Sequence, residues 1–471
     1  MARTKILATI GPSTFDKVEK LIEAGIDGIR FNMAHHRTPE DYQRTAGIIR
    51  RAREVKPELF VVGDLEGPKI RLGTFEPLKV EIGQEISIIP ESGYYGKGIP
   101  IQFNDFYKHV EKGRLLLVDD GKVGLRINEI SGNEIRCSVE YGELLEARKG
   151  VNTPGIRIPM VYMTKKMEGD TLFMGENGFN YVFSSFTRTA QDIIDTRKFS
   201  KNGLQNGGKV ENCEGDENLA SIVAEADIMM VPRGDYGMEM GVIRVPSYQK
   251  SLIERCNVLG KPVVSATQKL ESMMYRKEPS RAEVTDIFNA VLDGADVVML
   301  SGETSMGKYP IEAVRMMDNI LVEAERYLFD KGNGTSLCGK LERLIKSDSA
   351  AYLIGRAVYN ASKAENIKAV VVPTTSGYTA RMISRFRGEK PIIAVAYDKN
   401  VLSRVNAVWG VYPVLVEQSY DKDSIVENAV SAARSVGYVK AGEHVIVTSG
   451  LGNNGQGTTN MMQIRRVHSG L

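Results

Sequence analysis

The residues most able to do chemistry together lie in two short stretches, Gly208-Lys209-Val210-Glu211-Asn212 and Asp227-Ile228-Met229-Met230-Val231-Pro232-Arg233-Gly234-Asp235-Tyr236-Gly237. Each ends an apolar run with charged residues. Lys209 and Glu211 alternate along an extended segment, which predicts that both side chains leave on one face. Asp227–Val231 reads as a buried parallel strand delivering Asp235 into a Gly-flanked turn. Two carboxylates and an ammonium at neighbouring strand ends suit the holding of Mg²⁺ or Mn²⁺ against an anionic substrate. The same pattern also fits a pair of salt-bridged strand ends.

The elements that must position these groups follow a rhythm. Ile6–Ile10, Gly28–Met33 and Leu59–Leu65 read as strands, with helices over Asp16–Ala24 and from about Pro39 to Val55 between them. This βαβαβ alternation predicts parallel strands with helical cover. From Pro68 to about Ile156 short alternating runs (Leu78–Val80, Ile86–Ile89, Arg114–Val118, Ile135–Val139), separated by Gly, Asp and Asn turns, predict an inserted small β domain. Then Tyr181–Phe186, Lys209–Asn212, Asp227–Val231, Pro262–Thr267 and Asp296–Leu300 resume the alternation. Three strands and five make a (β/α)₈ barrel interrupted after its third strand, with chemistry expected at the C-terminal strand ends. Arg30, Asn32, Asp64, Ser185, Lys209, Glu211, Asp235, Thr267, Ser301 and Glu303 all fall there. Beyond about Thr335, a helix over Ser347–Ser362 and strands at Ala369–Val372, Ile392–Ala396, Tyr412–Val416 and His444–Thr448 predict a separate α/β domain with an open, largely parallel sheet. The expected domains are therefore 1–67 with 157–334, 68–156, and 335–471.

A chain of 471 residues, 42% hydrophobic and 25% charged, is long enough for several packed cores. Its net charge of +2 calls for neither nucleic acid nor membrane as a partner. Cys137, Cys213, Cys256 and Cys338 show no metal-ligand spacing and suit a reducing cytoplasm. No signal peptide is expected at the start, and no apolar run approaches the ~20 residues of a membrane helix.

The stretch Lys209-Val210-Glu211-Asn212-Cys213-Glu214-Gly215 followed by Arg233-Gly234-Asp235-Tyr236-Gly237 resembles the active-site segment of the pyruvate kinase family, and the resemblance extends over essentially the whole chain. It implies a TIM barrel with an inserted small β-barrel lid domain and a C-terminal α/β domain. The implied activity is phosphoryl transfer from phosphoenolpyruvate to ADP, giving pyruvate and ATP in a homotetramer. Glu211 and Asp235 match the family's divalent-metal ligands, and Lys209 its essential lysine beside the transferring group. Gly234, Asp235 and Thr267 match its substrate site, with Thr267 near the carbon that gains a proton. A Thr hydroxyl is too weak an acid to protonate an enolate alone, which favours a water chain as donor. Ser301 and Glu303 suit a relay for that proton, or Ser301 a helix cap. Arg30, Asn32, His35 and Arg71 carry the nucleotide side, and Lys149 matches a lid lysine. A metal-dependent aldolase or lyase is opposed by the lid and by Arg30 and Arg71. A catalytically silent metabolite sensor is opposed by Lys209, Glu211, Asp235 and Thr267.

Two further expectations come with the resemblance. The loop Thr374-Thr375-Ser376-Gly377-Tyr378-Thr379 lies between a strand and a helix, where hydroxyls and N–H groups receive anions. In relatives that respond to sugar phosphates it holds an effector phosphate; an ordinary capped turn is the alternative. The loop Ser449–Thr459 is rich in Gly and Asn and lacks a cation to select an effector. The family's potassium ligands, by contrast, are altered. Asn32 and Asp64 remain, but Ala34 and Leu65 stand where hydroxyl ligands are usual, and Lys69 stands where a Glu is usual. Lys69 is therefore expected to replace the monovalent cation, making K⁺ unnecessary.

Overall fold

The computed structural model describes residues 2–330, 333–345, 347–417, 422–450 and 459–468. Most of the Ser449–Thr459 loop lies outside the described residues. Eight parallel strands close into a barrel: β1 (Lys5–Thr9), β2 (Gly28–Asn32), β3 (Phe60–Asp64), β4 (Tyr181–Ser184), β5 (Gln205–Lys209), β6 (Ile228–Pro232), β7 (Val263–Ala266) and β8 (Val297–Leu300). Strand β8 pairs back onto β1 with Lys5 opposite Val297. Leu7, Phe60, Val62, Phe183, Met230 and Met299 are among the side chains that fill one buried cluster drawn from these strands. Strands β2 and β5 make room for the aromatic ones. A Cβ on Gly28 would lie 2.5 Å from the Phe60 ring, and one on Gly207 would lie 2.6 Å from the Phe183 ring. That economy explains a misplacement in the sequence reading: Lys209 ends the fifth strand instead of starting it, because Gln205–Lys209 is too glycine-rich to show an apolar run.

The helices outside begin where their sequences cap them. Pro39–Val55 starts at Thr38 with a reciprocal Thr38/Asp41 capping box. Arg281–Asp293 starts at Ser280 with a Ser280/Glu283 box and stops at Gly294, whose φ is 98°.

Between β3 and β4 the chain builds a seven-stranded sheet whose edge strands are Ile70–Arg71 and Ile99–Ile101. An isolated bridge between Leu72 and Ile101 joins those edges, as do hydrogen bonds from Gly73 N to Pro100 O (2.7 Å) and Gln102 N to Arg71 O (3.0 Å). The inserted domain is thus a small barrel around its own core. It leaves and rejoins the large barrel through neighbouring antiparallel strands, with Ile70 opposite Val151 and Arg71 opposite Gly150.

The C-terminal sheet has the order β11-β10-β9-β12-β13, from β9 (Ile367–Thr374), β10 (Ile392–Ala396), β11 (Val411–Leu415), β12 (His444–Ser449) and β13 (Met461–Arg466). Strand β13 is antiparallel to β12 and amphipathic too weakly to be read from sequence. A helix over Asn333–Leu344 was likewise not expected.

This domain docks on the N-terminal ends of the barrel strands. Lys5 donates to Val411 O (2.8 Å), and the Tyr181 hydroxyl donates to Arg404 O (2.9 Å). Arg387 is buried against Asp296 with both guanidinium Nη atoms 3.0 Å from the carboxylate oxygens, and it also donates to Asn257 Oδ1 and Gly294 O, both at 2.6 Å. Truncating one member of a buried ion pair strands the other in low dielectric. Asp296→Ala should therefore cost about 3–5 kcal/mol of stability in urea unfolding, and a loss under about 1 kcal/mol would show the domains are held by other contacts.

Candidate active site

The C-terminal tips of β2 to β6, with the inserted domain above them, line a cleft of about 270 Å³ that contains Arg30, Asp64, Lys69, Lys209 and Asp235. Its centre is Lys209. The ammonium is 3.2 Å from Asp64 Oδ1, 2.9 Å from Ser185 Oγ and 3.0 Å from Glu211 Oε1. Burial alone would discharge this lysine, but Asp64, Glu211 and Asp235 outweigh it and raise its pKa above the ordinary value. Asp64 has the opposite balance. Burial favours its acid form, yet Lys209 and Arg30 hold it below the usual carboxylate range. Arg30 reaches it at 2.5 Å through Nη2 and 3.1 Å through Nε.

Glu211 lies just past the end of β5, buried, and its Oε2 accepts from Phe186 N at 2.7 Å. That contact goes with a φ of 53° at Phe186, an uncommon conformation for an aromatic residue. Glu211 Oε1 lies near Lys209 but outside hydrogen-bond geometry, so it remains a buried oxygen without a hydrogen bond. Burial first, and then the neighbouring Asp235 and Asp64, push the Glu211 carboxyl up to about 7 against the pull of Lys209. Asp235 sits in the first turn of the helix Arg233–Met240, not in the loose turn its flanking glycines suggest. Its Oδ1 accepts from Lys69 at 3.2 Å.

The two carboxylates suit an oxygen-loving divalent cation. The unbonded Glu211 oxygen and the crowding of negative charge would both be relieved by one. Among the described residues no group of three or more His, Cys, Asp or Glu comes together. Mg²⁺ commonly takes one or two protein carboxylates and leaves its other positions to water and substrate.

Lys69 lies beneath the inserted domain, its ammonium shared between Asp235 and Asp120 (3.3 Å) and 5.6 Å from the centre of the Phe186 ring. Burial works against its charge, and the two aspartates more than offset that. It does not pair with Asp64, whose oxygens are taken by Lys209, Ser185 and Arg30. Asn32 Oδ1 accepts from Ala34 N at 3.2 Å and so caps the short turn Met33–His35. His35 lines the cleft. Its neighbour His36 is buried 2.7 Å from Thr45 Oγ1 and packs structurally. Arg71 grips Glu66 at 2.6 and 3.1 Å, and Lys149 pairs with Asp119 (3.2 Å) and Glu146 (3.1 Å). Both line the cleft. Gly67, at φ +71°, marks the exit towards the inserted domain; a Cβ there would lie 2.6 Å from Ser185 O.

At the far rim, Thr267 has φ 61° and a buried hydroxyl with no partner. Ser301 Oγ is likewise buried and unpartnered, so it does not cap the helix Gly302–Ser305. Glu303 is committed to the backbone: Oε1 accepts from Leu270 N (2.9 Å) and Oε2 from Ser301 N (2.7 Å). Gly234 lies on the same helix turn as Asp235, with open space where a side chain would stand. In the C-terminal loop, Thr374 Oγ1 accepts from Gly377 N (2.9 Å), Ser376 Oγ from Tyr378 N (3.4 Å), and Thr379 shares a hydrogen bond with Thr459 (2.8 Å). Thr375 is exposed.

Several groups here carried no sequence signal. Asp120 and Glu239 act only once the inserted domain is placed. Glu239 Oε1 accepts from Asn152 Nδ2 at 2.9 Å and from Thr153 N at 3.2 Å. Lys269, within Ala266-Thr267-Gln268-Lys269-Leu270, gave no such signal either and is fully buried.

A closed parallel barrel with a buried lysine among carboxylates at its strand tips, under a covering β domain, defines a barrel enzyme that acts on anions. The family description "Pyruvate kinase, barrel domain" matches residues 1–314, and "Pyruvate kinase, alpha/beta domain" matches residues 353–465. The pyruvate kinase of Clostridium acetobutylicum is 36% identical across 99% of this chain and 100% of its own length. Those of Lactobacillus delbrueckii subsp. bulgaricus and Staphylococcus aureus (strain USA300) are also 36% identical over 99% of this chain, covering 80% and 81% of their lengths. The chain belongs to the pyruvate kinase family and is an enzyme of that phosphotransferase type. No described helix is long and apolar enough to cross a membrane.

Proposed function

We propose that this chain transfers the phosphoryl group of phosphoenolpyruvate to ADP, giving pyruvate and ATP. The observation that carries the reading is the Lys209 ammonium, buried between Asp64 and Glu211 beside a carboxylate oxygen left without a hydrogen bond. A preorganised positive charge in a water-poor cleft stabilises charge that spreads over a transferring phosphoryl group. Glu211 and Asp235 would hold Mg²⁺ or Mn²⁺, which supplies further charge neutralisation when bound. Arg30, Arg71, Lys149 and His35 face the nucleotide side, where planar guanidinium groups suit phosphate oxygens. Thr267, whose hydroxyl has no hydrogen-bond partner, would serve the carbon that takes the proton, with water delivering that proton. Ser301, with a second free hydroxyl, suits the same water chain better than Glu303 does.

Lys209→Met should lower turnover by about 10²–10³ while Mg²⁺ binding persists, whereas Glu211→Gln or Asp235→Asn should abolish that binding. Unchanged Mg²⁺ titrations in the carboxylate variants would refute the ligand assignment.

We further propose that the enzyme works without K⁺. Asp64 is saturated by Lys209, Ser185 and Arg30, Asn32 is occupied as a cap, and Leu65 has no side-chain oxygen, its carbonyl already accepting from Ser185 Oγ at 2.6 Å. The Lys69 ammonium adds a positive charge to the same cleft. Asp235 and Asp120 offset part of that charge, so exclusion of K⁺ rests chiefly on the lost oxygen ligands. Turnover should survive replacement of K⁺ by tetramethylammonium at constant ionic strength; a collapse would reject the proposal. Lys69→Glu should create the requirement.

Regulation is proposed at the C-terminal loop. Thr374 and Thr379 are used internally, leaving exposed Thr375, with Ser376 held only by a long 3.4 Å contact from Tyr378 N, to meet a phosphorylated effector. Its binding should lower half-saturation by phosphoenolpyruvate through a coupling of about 1–3 kcal/mol. A panel of sugar phosphates and nucleoside monophosphates, with Ser376→Ala alongside, tests this. Silence of the whole panel, or an unaltered response in the variant, would count against it.

A further inference from the structure

Behind the strained Thr267 lies a charge cluster, half-buried at Arg233 and Asp286 and fully buried at Lys269, that the phosphoryl-transfer chemistry does not use. Arg233 turns its guanidinium away from the cleft and onto the backbone that follows β7. Nε donates to Ala266 O (3.0 Å) and Thr267 O (3.1 Å), while Nη2 donates to Thr267 O and to Gln268 O (2.9 Å). Thr267 and Gln268 have φ values of 61° and 52°, so two successive non-glycine residues are left-handed where this guanidinium holds their carbonyls. Such conformations persist only where surrounding contacts over-determine them. The remaining arm, Nη1, donates to Asp286 Oδ2 at 2.6 Å. That same oxygen accepts from Lys269 Nζ at 3.1 Å. Arg233 opens the helix after β6, Asp286 lies on the helix Arg281–Asp293, and Lys269 follows Thr267 by two residues.

We propose that Asp286, shared between Arg233 and Lys269, is a positioning residue that fixes the Thr267 backbone and aims its hydroxyl, so that proton delivery to carbon depends on it. This rests on the reading of Thr267 as serving that proton step. One carboxylate oxygen holding two cations is poised between them. The charged groups facing Lys269 are Arg233, Asp286 and, at the end of the same helix, Asp293. Burial first, and then Arg233, bring the Lys269 ammonium down to about 7, with Asp286 opposing. Protonated Lys269 repels the guanidinium and competes for Oδ2, loosening the grip of Arg233 on Thr267. Neutral Lys269 leaves Asp286 to Arg233.

The test compares Asp286→Asn, Lys269→Met and Thr267→Val in ATP formation and in exchange of solvent deuterium into the pyruvate methyl group with Mg²⁺ and ATP. Asp286→Asn is isosteric and should lower kcat by about tenfold or more with KM for phosphoenolpyruvate within about twofold, exchange falling in parallel. Lys269→Met, which keeps the packing volume, should remove a loss of kcat that the parent shows as pH falls through about 7. If Thr267→Val slows exchange but Asp286→Asn does not, the positioning role is overturned and the reading of Thr267 stands. If Thr267→Val leaves exchange unchanged, that reading falls and the proposal with it. A constant ratio of Lys269→Met to parental kcat across neutral pH also overturns the sharing of Asp286.

Discussion

An ammonium taken out of water is the constraint around which the catalytic end of this molecule is built. Stripping the hydration from Lys209 costs several kcal/mol unless charge and hydrogen bonds replace it. Asp64, Ser185 and Glu211 supply them from the tips of three different strands. Each supplier then needs support of its own. Asp64 is held by Arg30 from β2, and Glu211 by the backbone N–H of Phe186, whose left-handed conformation aims that N–H inward. The parallel register of β2 to β5 is thus a condition for a charged lysine to exist there at all.

The inserted domain is secured to this end through polar contacts. Asp120 shares Lys69 with Asp235, and Asn152 and Thr153 bond Glu239 on the helix that also carries Asp235. The turn Asp119-Asp120-Gly121 comes so close that a Cβ on Gly121 would lie 2.2 Å from the Met238 methyl. Such contacts are exchangeable with water at modest cost, unlike the apolar core each domain keeps to itself.

The barrel was legible because alternation of buried strands with amphipathic helices survives without knowledge of partners, and polar residues at successive strand ends marked its open face. Strand β5 was displaced because Gly207 makes room for Phe183 and Gly208 for Ile222 and Met229, a demand set by packing across the fold and invisible along the chain. Lys209 and Glu211 could be placed together by spacing alone. The commitment of Glu303 to two backbone amides, and the turn of Arg233 away from the substrate, could not. Both depend on carbonyl and amide directions that only the folded chain defines. Lys69 shows the same limit: its type announced a changed cation site, but its partners, Asp120 and Asp235, come from two domains.

The two chain crossings between the barrel and its inserted domain run antiparallel and hydrogen-bonded, Ile70 beside Val151 and Arg71 beside Gly150. They therefore behave as one strap and not as two independent threads. A strap bends across its width far more readily than it shears or twists, so the domain above has essentially one easy direction of travel. Lys69, Arg71 and Lys149 all sit on or next to that strap. Any opening must carry the three cations away from the strand tips together, and any closing must return them together. The arrival of positive charge and the expulsion of water become a single mechanical event.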